Sequence, residues 1–293
     1  LRAVDNNQIE DQTVRMNVNW NIGPRHDLEV GVSTTKYKTN YSVLLGDSVI
    51  LIDQKINGNL FEGYFQDRWA LSPGLEILLG LRTSRFSKST VSYFNPRLSV
   101  FYRFTDELFF KASTGITHQF LNRFSNDLIT NGSKFVWLLP NEDADPMAVQ
   151  QISLGIEYDT PHIFIGFDIY NKVIDNITDF SQLVFPVDTY IEETSTLVFK
   201  GSRTAKGLEL LVRKKDGYLR GWAAYNYGIV ECEFPDMNGG KTFLADHDRT
   251  HELKSVIIWS LGPWNMAVTG LISSGRVYTP NNNLMIRENE NAN

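Results

Sequence analysis

Two histidines four residues apart, in Asp246-His-Asp-Arg-Thr-His251, are the first candidates for chemistry, because imidazole and carboxylate together suit a transition metal. On a strand such residues share a face, but they lie roughly 13 Å apart, too far to share one ion. The segment therefore reads as a polar motif at a strand's outer rim. Asn141-Glu-Asp-Ala-Asp145 offers carboxylates to calcium but lacks the glycine and closing glutamate of an EF-hand loop, so it reads as a solvated loop. His118 and His162 stand alone. A Gly-x-Ser-x-Gly elbow, a phosphate-binding loop and a His-Glu-x-x-His pair are all missing, so no catalytic residue, metal or cofactor is expected. The single cysteine, Cys232, cannot form an intramolecular disulfide and is expected to be inert.

What remains is a file of charges: Glu62, Arg68, Arg82, Arg97, Arg103, Lys111, Asp168, Glu209 and Arg213. Each sits in a period-two run whose other face is apolar. Ile163, Ile165, Phe167 and Ile169 alternate with Gly166, Asp168 and Tyr170; Leu75, Ile77, Leu79 and Leu81 alternate with Glu76, Gly80 and Arg82. Leu98, Val100 and Tyr102 oppose Arg97, Ser99 and Arg103 in the same way. The pattern predicts about twelve strands joined by six tight turns near residues 24, 72, 106, 160, 216 and 262. Aromatics shoulder these turns, as in Trp20, Trp69, Phe104, Tyr158, Tyr218, Trp259 and Trp264. Between the hairpins lie long polar excursions, roughly 38–56, 118–147, 173–200 and 231–246.

Short turns at one end, long loops at the other and aromatics beside the short turns are the signature of a transmembrane β-barrel. Composition agrees. The hydrophobic content of 42% and mean hydropathy of −0.24 are too polar for a bundle of membrane helices. No run approaches the roughly 18 to 20 apolar residues of a spanning helix. A net charge of −6 disfavours nucleic acid as a partner. The expected fold is all-β, with apolar files against lipid and charged files around water. Asp67 breaks the register, since it shares a file with Phe61, Phe65 and Trp69. Either the headgroup region or a local bulge that turns it inward would accommodate it.

Several segments resemble the TonB-dependent outer-membrane receptors: Gly63-Tyr-Phe-Gln-Asp-Arg-Trp69 with Leu79-Gly-Leu-Arg82, then Phe94-Asn-Pro-Arg-Leu-Ser-Val100 and Leu108-Phe-Phe-Lys-Ala-Ser-Thr-Gly115. Lys206-Gly-Leu-Glu-Leu210, Asp248-Arg-Thr-His-Glu-Leu253 and Ser274-Gly-Arg-Val-Tyr-Thr-Pro280 follow in the family's order. The resemblance implies a 22-stranded antiparallel barrel of which residues 1–293 would form part, about twelve strands of a single barrel domain. It also implies a plug domain and closing strands expected to lie outside this stretch. It implies uptake of a large scarce nutrient (a siderophore, cobalamin, oligosaccharide or peptide) across the outer membrane of a Gram-negative bacterium. The partners implied are that nutrient, outer-membrane lipid, the plug, TonB reached through an N-terminal region, and in some receptors a surface lipoprotein. A passive channel or porin fits the same strands without a plug, and a barrel hydrolase would need a nucleophile that is not recognisable here.

Candidate ligand contacts follow from position. Phe120, Arg123, Trp137 and Tyr190 fall in the long loops, where exposed segments on a rigid scaffold commonly carry recognition. Arg97 and Lys111 project from the charged file toward the expected lumen. The outermost strands, near Val14 and Met266, are expected to be unpaired edges.

Overall fold

The computed structural model describes residues 3–45, 49–126, 134–140, 145–180 and 198–277. The first six strands are β1 (Ala3–Ile22), β2 (His26–Leu45), β3 (Val49–Ser72), β4 (Leu75–Phe86), β5 (Ser92–Arg103) and β6 (Leu108–Gln119). A hairpin of β7 (Asn122–Asn126) and β8 (Lys134–Leu138) follows. Then come β9 (Met147–Asp159), β10 (Ile163–Phe180), β11 (Val198–Lys214), β12 (Leu219–Glu233), the short β13 (Phe243–Leu244), β14 (His251–Leu261) and β15 (Trp264–Ser273). Twelve of them form one antiparallel path, β1-β2-β3-β4-β5-β6-β9-β10-β11-β12-β14-β15, with β13 paired to β12 and the β7–β8 hairpin apart. Among the described strands the path is open, with β1 and β15 at its ends, where Val14 and Met266 lie.

All six tight turns stand where the alternation places them, at one rim. Above the tight-turn rim one face of the twelve-strand path is apolar and bare. Val14 is 71% exposed and Val268 66%, and among the described residues no second sheet or helix packs on that face. The other face holds the predicted charges. A soluble sandwich could not leave so much apolar surface open, whereas a barrel wall in lipid requires it.

The structure corrects the expected loops. The stretch 38–56 is not an excursion: β2 runs to Leu45 and β3 starts at Val49, with Lys38 opposite Asn57 and Asn40 opposite Lys55. Strands of 20, 20 and 24 residues rise to roughly 65–80 Å along their axes, about twice what a tilted strand needs to cross a membrane. The alternation hides them because the period-two pattern lapses above the apolar band: residues 5–12 of β1 are polar apart from Ile9, and β2 and β3 meet in unbroken apolar runs at 43–45 and 49–52. The β10–β11 ladder likewise continues to Phe180 opposite Val198. One extra residue in β10 lies between Ile174 and Ile177, where Asn176 adopts φ 58° and donates from Nδ2 to the Pro146 carbonyl at 3.1 Å. Asparagine tolerates that left-handed conformation better than most residues. The bulge lets Ile174 and Ile177, three apart, turn to the same face.

Among the described residues, buried cores lie only at the long-loop rim, where connections fold back over the polar face. One joins Leu60, Phe86, Phe120 and Leu139, flanked by Tyr37, Ile56, Tyr93 and Leu121. The other joins Ile177, Cys232, Phe234 and Ala245, flanked by Met147, Ile174 and Phe243. Mid-wall, the sheet is a single layer.

Candidate functional site

The polar face is the candidate site, and its chemistry is built by neighbours in register. Lys111, Gly155 and Asp168 are directly opposite one another on β6, β9 and β10. Lys111 Nζ lies 2.7 Å from Glu157 and 3.0 Å from Asp168. A Cβ on Gly155 would come within 2.3 Å of both the lysine stem and the Asp168 carboxylate, so only glycine lets the pair close over the middle strand. Arg97 behaves similarly: its stem lies flat across Gly80, where a Cβ would meet Cγ at 2.7 Å. Lys111 is thus engaged in the wall. Arg97 is exposed and has no carboxylate partner among the described residues.

A connected polar chain crosses β2 to β6. Tyr64 Oη donates to Glu29 at 2.6 Å, and the Arg82 guanidinium lies 5.3 Å from the Tyr64 ring centre and 3.6 Å from Glu62. Ser84 Oγ donates to Glu62, and Asn95 Nδ2 donates to Ser84. Asn95 Oδ1 then accepts the His118 backbone N–H at 3.0 Å and contacts Nδ1 at 2.7 Å. The local cause lies in Asn95-Pro96. The β5–β6 ladder stops at Arg97 opposite Gly115, while β6 continues to Gln119, so His118 N–H would lack a strand partner. The Asn95 side chain supplies it. Tyr93 packs on His118 at 4.9 Å and donates to Asp145 at 3.0 Å, tying the seam to the following loop.

Of the loop candidates, Phe120 is 4% exposed, 6.0 Å from Phe86 and 5.5 Å from Tyr93. Its ring supports the loop from beneath instead of presenting itself at the surface. Arg123 and Trp137 are brought together, opposite each other on β7 and β8. Tyr190 lies outside the described residues, as do Asn141 to Ala144. Arg97 and Lys111 share the β5–β6 pair but sit two rows apart, so they do not form one site with the hairpin.

Asp248 is the residue that sequence reasoning passed over in the His247 to His251 segment. It is 3% exposed, accepts the Val230 backbone N–H at 2.8 Å and the Thr250 hydroxyl at 3.0 Å, and so staples the β12–β14 connection to the wall. His251 turns the other way, 2.8 Å from Tyr225 Oη on the apolar face. Burial and the neighbouring Arg203 charge push the His247 imidazole below its usual pKa. Among the described residues no three His, Cys, Asp or Glu side chains gather as a metal cage.

Asp67 stays in register on the apolar face, with no bulge at its position. His26 Nδ1 lies 2.9 Å from its carboxylate, and the His26 ring stacks on Trp69 at 5.6 Å. The pair sits within the tight-turn aromatic rim, which is where a charged residue on this face costs least. Aromatics also stand on the apolar face toward the long-loop rim, Phe61 on β3 and Phe94 on β5 one row apart, and Tyr225 and Tyr227 on β12. None of them flanks a tight turn, so the sequence pattern does not single them out.

The apolar face thus carries aromatics toward both rims, with Trp69 and Phe61 about 20 Å apart across the wall at a tilt near 40°. The chain is similar in fold to a mutant of the ferric enterobactin receptor PfeA from Pseudomonas aeruginosa, at 15% identity and a TM-score of 0.66, covering 93% of this chain and 44% of that one. The siderophore receptor PirA from Acinetobacter baumannii matches at 15% identity and a TM-score of 0.64, over 95% and 44% of the two chains. The FrpB iron transporter from Neisseria meningitidis matches at 12% and 0.64, over 90% and 42%. The chain therefore spans less than half the length of these solved receptors. No curated protein matches it in sequence. The family model for the β-barrel of TonB-dependent receptor-like proteins matches residues 3–290. With the alternation, the open twelve-strand wall and that match in agreement, the chain belongs to the TonB-dependent receptor family, as part of its β-barrel.

Proposed function

We propose that this wall belongs to an outer-membrane receptor of a Gram-negative bacterium that imports a large scarce nutrient by TonB-coupled active transport. The observation that carries the reading is the two-faced wall itself. Bare apolar files bounded by aromatic rims suit lipid, and a charged face whose loops fold inward suits a wide, guarded lumen. Nutrients of the siderophore class are favoured over cobalamin, oligosaccharide or peptide by the fold's likeness to siderophore receptors. In this reading residues 1–293 are part of one barrel domain, a plug encoded elsewhere in the protein fills it, and the engaged charges such as Lys111 fix the wall beside that plug. Arg123 and Trp137 on the β7–β8 hairpin, Tyr190 and the exposed Arg97 are the proposed ligand contacts, with Phe120 holding the hairpin's foot. No bond-breaking step is assigned to the chain.

The test is growth of a strain lacking the full-length gene on iron chelates, cobalamin, glycans and peptides, repeated in a strain lacking TonB. Loss of growth on one ligand in both strains supports the proposal. Uptake that survives without TonB would replace it with a passive channel.

A further inference from the structure

The apolar face carries one feature that a uniform lipid contact does not require. Near the long-loop rim the outward-facing residues of β2 to β4 are strongly basic. Arg85 lies beside Phe61, Lys36 lies one row higher opposite Asn59, and Lys38 and Lys55 rise above them. Lys88 follows in the β4–β5 loop, and all five are exposed. Their neighbours on the polar face at this height, such as Thr35, Ser84 and Phe86, are buried, so the basic residues serve the outside of the wall. By register Glu10 and Asp53 share this face; Glu10 is 3.3 Å from Lys38, and no ion pair to Lys36 or Arg85 is found among the described residues. This concentration of positive charge stands out in a chain of net charge −6. The opposite flank differs, since Lys206 there is matched by Glu231 at 3.3 Å.

Directly below the cluster, a cleft of about 500 Å³ opens in the apolar face along the seam of β4, β5 and β6, lined by Phe65, Leu79, Leu81, Pro96, Leu98 and Ile116. Its cause is the same Asn95-Pro96 break that ends the β5–β6 ladder. The height is right for a lipid. Phe61 is eight residues from Trp69, roughly 27 Å along the strand and about 20 Å across the membrane at a tilt near 40°. Arg85, in register with Phe61, therefore stands at the upper border of the apolar band. Lys36 and Arg85 are two strands and one row apart, on the order of 12 Å between Cα atoms, within reach of one phosphorylated headgroup.

We propose that the Lys36–Arg85 cluster and the cleft below it form a site for a phosphate-bearing lipid of the adjoining leaflet, its headgroup on the bases and an acyl chain in the cleft. The proposal rests on the membrane-embedded reading of the apolar face. Juxtamembrane bases attract such headgroups, and a cleft gives the chain a fixed seat.

The full-length protein, extracted and delipidated in mild detergent, would be titrated with diphosphorylated lipid A and with the same lipid stripped of phosphate, bound lipid being counted by native mass spectrometry. Binding should depend on phosphate, and Lys36→Gln with Arg85→Gln should weaken it about twenty-five-fold, roughly fivefold per charge. Lys206→Gln should change it by less than about twofold. Equal binding of the two lipids, equal loss in Lys206→Gln, or displacement of the lipid by inorganic phosphate alone would each overturn the site. A barrel that loses its heat-resistant fold only when detergent is removed still supports embedding, so failure of the site and failure of the membrane reading give different results.

Discussion

Gly155→Ala sets two effects of similar size against each other. Alanine in a strand is favoured over glycine by about 0.5–1 kcal/mol. Here its Cβ would lie 2.3 Å from both the Lys111 stem and the Asp168 carboxylate, so the ion pair over this position must open. Lys111 then loses the 3.0 Å contact to Asp168 and is displaced from Glu157 at 2.7 Å. These side chains are 28–39% exposed, so each contact is discounted toward the surface range, and the two together contribute about 1–2 kcal/mol. The loss outweighs the alanine gain, and Gly155→Ala should be net destabilising by about 0.5–1 kcal/mol. The assay is urea unfolding of the full-length protein from lipid vesicles. It should be run as a double-mutant cycle of Lys111→Met and Asp168→Asn in both the wild-type and Gly155→Ala backgrounds. A coupling near 1 kcal/mol in the wild type should fall to about zero in the variant. An unchanged coupling, or a variant stabilised by the full alanine gain, would refute the register argument.

Phe120→Ala should empty one rim core and loosen the β6–β9 connection by about 3 kcal/mol, raising protease cleavage there about a hundredfold while the strand ladder stays intact. Cleavage at the wild-type rate would mean the loop is held by something else. His26→Ala should destabilise by about 1 kcal/mol in vesicle unfolding, because it strands Asp67 on the apolar face, whereas Asp67→Leu should be neutral or stabilising. Equal losses in both would contradict the placement of that pair. At the tight-turn rim, the His162 hydrogen bond at 2.5 Å, with Lys214 nearby, holds the Asp216 carboxyl below its usual value of 3.8. A depressed acid contributes above its unfolded value and loses that contribution as pH falls through the lower folded value. Hydrogen exchange at Lys215, whose N–H donates to the His162 carbonyl, should therefore keep its protection down to pH values below 3.8. His162→Ala should move that loss of protection upward, toward the ordinary carboxyl range.

The alternation of Ile163 to Ile169 or Leu75 to Leu81 is written into neighbouring residues, because side chains two apart share a face whatever the rest of the chain does. Turns such as Leu71-Ser-Pro-Gly74 are equally local. The twelve strands of the main path, the shared rim of the six turns and the apolar file were therefore legible without coordinates, while the short β7, β8 and β13 were not. The tall β1–β3 wall was not, since its upper halves carry no period-two alternation and only their pairing reveals them as strands. The inward turn of Ile177 was hidden for a related reason: a single extra residue at Asn176 reverses the face, and no sequence period announces it.

The candidate site divides along the same line. The sequence by itself determined which residues carry charge and on which side of each strand they fall. Only the tertiary structure decided what they meet, because Lys111 finds Asp168 across a glycine on a third strand and Asp67 finds His26 a whole hairpin away. It also decided that Phe120 is buried while Lys36 and Arg85 gather on the outer face, since burial and clustering depend on register between strands, which no single strand contains.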